Sequence, residues 1–112
     1  MDKITQYQQI ITQLLEEYAA IPPSYPTKLR DEVVADTVRN HFQLVSLGWE
    51  ENKFIHEVIF HLDIIEGKIW VQRNNTEADL SGELTDRGIP KSDIVIGFQS
   101  PAIRSQTGYA VA

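Results

Sequence analysis

The chain has 112 residues, of which 42% are hydrophobic and 23% charged, and none is cysteine. That length holds one domain with a core of its own, and the apolar content excludes a disordered chain; the missing thiols exclude disulfide frameworks, thiolate metal sites and cysteine nucleophiles. Sixteen acidic against ten basic residues leave a formal charge of −6, which sets the chain against phosphate and makes direct DNA contact by the isolated chain a minor reading.

The N-terminus lacks the basic region and unbroken apolar stretch of a signal peptide, and no apolar run reaches bilayer length. A cytoplasmic protein with no membrane contact is expected, and the Asn74-Asn75-Thr76 sequon then carries no weight. Ile4, Tyr7, Ile11, Leu14, Tyr18 and Ile21 recur at helical spacing and predict an amphipathic helix from about Lys3 to Ala20. Asp2 is placed to cap it, and Pro22-Pro23 stop it. The stripe is expected to pack on the chain's own sheet, because no lysines flank it as lipid binding requires.

The proline-rich "PPSYPTKLRDE" turns the chain from helix to sheet. Strand-like runs follow, "DEVVADTV", "HFQLVSLGW", "KFIHEVIFHLDII" and "KIWVQR". Their connections are too short for crossover helices, so they predict an antiparallel meander. Glu66-Gly67 suits a two-residue hairpin, and the third run is long enough to carry a bend or bulge. A second helix is expected from about Glu77 to Arg87, capped by Thr76, with Leu80 and Leu84 inward and Gly88 and Pro90 ending it. "DIVIGF" reads as a short last strand, and Ser100-Pro101 as the start of a helical turn through Arg104. The fold class is α+β in two layers, a four-stranded antiparallel meander packed with the two helices, with the short strand and helical turn completing a single domain over residues 1–112.

The stretch "GKIWVQRNNTEADL" carries base-stacking and phosphate-gripping residue types just before a helix N-terminus. Glu77 and Asp79 already occupy that dipole and would repel a phosphate, so the stretch reads as a strand-to-helix junction, with Arg73 on the Ile69 side of the strand. Simple alternation places Glu57, His61 and Asp63 on one face of the third strand, and His56 on the other. That row is read as ordinary polar residues on a half-covered surface; binding of a metal or small ligand through it is the alternative, and no cofactor is called for. Glu66-Gly67-Lys68 superficially resembles the Glu-x-Lys element of metal-dependent nucleases, but lies at a hairpin tip. Neither a Gly-rich phosphate loop nor a G-x-S-x-G element is present.

Taken together, "DKITQYQQII", "YAAI", "HFQLVSLGW", "GKIWVQRNNTE", "GIPKSDIVIGF" and "TGYAVA" resemble the XisI family of cyanobacterial fdxN element excision controlling factors, over nearly the whole length and in the same order. The resemblance implies a non-enzymatic accessory protein acting with an XisH-like partner when a recombinase excises a DNA element during heterocyst differentiation. It brings no catalytic motif to any position. The acidic charge suits a protein partner. Contact is expected through an exposed apolar sheet face, or along the C-terminal tail with Phe98, Ile103, Tyr109 and Val111. Packing of the tail on its own domain, and a homo-oligomer through the same surface, are the alternatives. Direct DNA binding would fall to Trp70, Arg73 and Arg104.

Overall fold

In the computed structural model, which describes residues 2–112, the first helix is α1 (Lys3–Ala19), and Asp2 caps it by accepting from the Thr5 N–H at 2.8 Å. The strands β1 (Arg30–Asp36), β2 (His41–Glu50), β3 (Lys53–Ile65) and β4 (Lys68–Asn74) follow, then α2 (Leu80–Asp86), β5 (Ile94–Ile96) and a single helical turn, α3 (Pro101–Arg104). The five strands lie side by side in chain order. The first four form the antiparallel meander. β5 joins parallel to β4, because the connection through α2 is long enough to return the chain to the same end of the sheet. At the β3–β4 hairpin Glu66 and Gly67 both take positive φ, 51° and 79°, the signature of a type I′ turn.

The second helix begins later than its sequence suggests. Asn74 Oδ1 accepts from the Thr76 N–H and Thr76 Oγ1 from the Ala78 N–H, and these local bonds hold the segment in turns. Asp79, not Thr76, then caps α2, accepting from the Gly82 N–H at 3.0 Å.

α1 and α2 cover one face of the sheet. Tyr7, Ile11, Leu14 and Leu15 of α1 and Leu80 and Leu84 of α2 share one buried cluster with Phe42, Leu44, Phe60 and Leu62. Polar links fix the helices over it. Tyr18 meets Phe60 edge-on at 5.0 Å between ring centres and donates to the Glu83 carboxylate, while Tyr7 donates to Asp93, which also pairs with Lys3 at 2.9 Å. Burial, then the neighbouring carboxylate, pushes both phenols up to about 12. A phenol whose folded pKa lies above its unfolded value of about 10 adds stability that is complete below pH ~10 and is lost as pH rises toward the folded value. Phenolate absorbance is therefore expected to show these two tyrosines ionising near pH 12 or together with alkaline unfolding; full ionisation near pH ~10 in the folded protein would contradict their placement.

Two irregularities decide which side chains face away from the helices. Between Leu44 and Val45 the β3 partner jumps from Phe60 to Val58, leaving Ile59 as an extra residue. Between His61 and Leu62 the β4 partner jumps from Arg73 to Val71, leaving Gln72 extra. Each bulge shifts the in-out alternation by one residue.

Candidate functional site

The first bulge overturns the expected row. Glu57 pairs with Ser46 and His61 with Gln43. Ser46 and Gln43 are an odd number of positions apart on β2, so they point to opposite faces, and Glu57 and His61 do likewise. Glu57 lies exposed on the helix side of the sheet. His61 and Asp63 stay together on the open side, and the structure brings His41 to them, directly opposite Asp63. The second bulge moves Arg73 to the Trp70 side, since Arg73 pairs with His61 and Trp70 with Asp63.

His41 Nδ1 lies 2.7 Å and His61 Nε2 2.8 Å from the same oxygen, Asp63 Oδ1. Gln72 Nε2 reaches the other carboxylate oxygen at 3.3 Å, and the Gln43 amide stands 3.3 Å from His61 Nδ1. Burial pushes the Asp63 carboxyl up, but hydrogen bonds from His41, His61 and Gln72 outweigh it and hold the carboxyl below the usual range. A depressed carboxyl contributes stability that is complete above its unfolded value of about 3.9 and is lost as pH falls through the lower folded value. Asp63→Asn is accordingly expected to destabilise the protein most at neutral pH, with the gap to wild type closing below pH ~4 in acid unfolding curves. A gap that widens in acid would contradict this arrangement.

Along the same open face, Val45, Leu47 and Trp49 of β2 stand opposite Val58, His56 and Phe54 of β3. Trp49 and Phe54 meet edge-on at 5.3 Å between ring centres and stay 57% and 49% exposed. Val34 of β1 is also exposed, opposite Gln43 toward the other end of the face. On the helix side, a groove of about 630 Å³ runs between the linker and the end of α1, with Tyr25, Ser46 and Ile59 in its wall.

The residues considered for DNA are engaged within the fold. The Arg104 guanidinium lies 5.0 Å from the Trp70 ring centre and donates to the carbonyls of Gln99 and Gly97. Arg73 donates to the Val58 carbonyl at 2.8 Å. The tail runs along the outer edge of β5, where Ala110 bridges to Val95, and Lys68 donates to the Ala112 carbonyl. Tyr109 is half-buried against the core beneath Lys91, so this part of the tail packs on its own domain. Phe98, Ile103 and Val111 remain exposed.

His41, Gln43 and Gln72 are the members of the polar cluster that sequence reasoning missed. His41 opens its strand run directly after Arg39-Asn40, a visible signal only to a reading that aligns neighbouring strands as well as faces within one.

No helix among the described residues is long and apolar enough to cross a membrane. No curated protein matches the sequence. Among solved structures, a XisI-like protein from Anabaena variabilis is 37% identical, with 97% of this chain and 99% of that one covered and a TM-score of 0.89. The fdxN element excision controlling factor XisI from Anabaena variabilis is 32% identical, covering 99% of this chain and 100% of that one, with a TM-score of 0.85. The XisI protein family model matches residues 1–111, and with these two full-length likenesses the chain belongs to the XisI family.

Proposed function

We propose that this chain is a non-enzymatic cytoplasmic factor that controls excision of a DNA element during cyanobacterial heterocyst differentiation by docking an XisH-like protein on the open face of its sheet. The role is supported by full-length likeness to a protein named as an fdxN element excision controlling factor. The surface is supported by one observation, the exposed Trp49–Phe54 pair on a sheet face that neither α1 nor α2 covers. Large aromatic side chains left in water are the anchors from which protein interfaces draw most of their energy. Arg73 and Arg104 do not supply a DNA grip in this reading, because both are held by backbone carbonyls.

Co-expression with the XisH-like protein, followed by size-exclusion chromatography with light scattering, tests the reading. A complex containing both chains is expected, and Trp49→Ser is expected to weaken it by about 2 kcal/mol or more, some thirtyfold. Separate elution of the two proteins, or a dimer of this chain alone, would contradict it.

A further inference from the structure

We propose that His41 Nδ1, His61 Nε2 and Asp63 Oδ1 form a binding site for a divalent transition-metal ion of the zinc class. The three atoms all lie within 4.8 Å of one another, on the open face and away from the Trp49–Phe54 end of the strands. Two imidazoles and a carboxylate are a donor set that zinc and its neighbours accept, with bonds of about 2.0–2.2 Å. Ligand atoms around a tetrahedral ion then stand roughly 3.3 Å apart. Both rings are closer than that to Asp63 Oδ1, at 2.7 and 2.8 Å. Seating an ion thus requires the rings to draw back by a few tenths of an ångström. His41, with its side chain 55% exposed, has the room to do so.

The surroundings suit this exchange. Gln72 holds Asp63 Oδ2 and leaves Oδ1 for the ion. A metal on His61 Nε2 requires the ring proton on Nδ1, where the Gln43 amide already stands at 3.3 Å. Turning that amide to present its oxygen accepts the proton, so one glutamine serves both the empty and the loaded tautomer. The ligands come from two paired strands, with His41 opposite Asp63 and His61 two residues before it, so the sheet ladder sets their spacing. Three protein ligands leave a fourth position open to water. The metal alternative read from the sequence joins Glu57 to His61 and Asp63; the structure supplies His41 of the neighbouring strand in its place.

Titration of the full-length protein with zinc chloride against a chromogenic chelator at neutral pH tests the site. One equivalent bound with a dissociation constant of about a micromolar or tighter is expected. His61→Ala and Asp63→Asn should each weaken binding at least about tenfold. His41→Gln replaces the most exposed ligand, keeps the fold, and should weaken binding as well. His56→Ala, which changes a histidine elsewhere on the same face, should leave affinity unchanged. Cobalt(II) in place of zinc should give visible absorption bands that the His41→Gln variant loses. Wild-type protein that takes up no zinc, or a His41→Gln variant that binds as tightly as wild type, would overturn the proposal and leave the cluster as a hydrogen-bonded link between β2 and β3.

Discussion

Phe60→Ala is expected to lower the unfolding free energy by about 3–5 kcal/mol, a large share of the roughly 5–15 kcal/mol of a typical domain. Phe60 is fully buried at the centre of the cluster that joins α1, the sheet and α2. Removing its ring leaves a cavity and deprives Tyr18 of its edge-on partner. Ile59, the bulged residue, lies next to it, so the strand cannot slide to fill the gap without losing the register on both sides. Chemical denaturation should show a lower midpoint with little change in slope. A loss under about 1 kcal/mol would contradict the central place given to this ring.

Gly48→Ala is the second large effect, of about 2–5 kcal/mol, because two penalties coincide. Gly48 has φ of 144°, where an L side chain is strained. A Cβ there would stand 2.9 Å from the Lys28 carbonyl oxygen and 3.2 Å from Leu29 Cα. Both neighbours are backbone, so no side-chain rotation relieves the contact, and the linker must move off β2. The same denaturation measurement checks it. A variant within about 0.5 kcal/mol of wild type would show that the linker is not held against β2 as described.

Much of the fold is legible because local chemistry and periodicity agree. The α1 stripe, the Asp2 cap and the Glu66-Gly67 hairpin each have one physical reading, and each takes that form in the structure. Between Asn74 and Ala78 two capping signals compete, and the turn-forming hydrogen bonds of Asn74 and Thr76 delay the helix until Asp79. The parallel placement of β5 was not drawn from the sequence, since a three-residue strand carries no signal for its partner.

The polar cluster was less legible, for a definable reason. Counted back from the turn that pairs Glu50 with Lys53, an unbroken ladder sets His41 opposite Leu62. The bulge at Ile59 moves it opposite Asp63 and sends Glu57 to the other face. The length of the third run suggested a bulge, but nothing in its residues locates one. A single inserted residue therefore exchanged one member of the predicted row for a histidine on the neighbouring strand.

Docking on the open face is tested most directly by amide chemical-shift mapping of this chain on addition of the XisH-like protein. Shifts are expected to cluster on the open face around Trp49, Phe54, Val45 and Val58, with the residues of α1 unmoved. Shifts confined to α1 or to the tail around Phe98 and Ile103, or none at all, would contradict the open face as the contact surface.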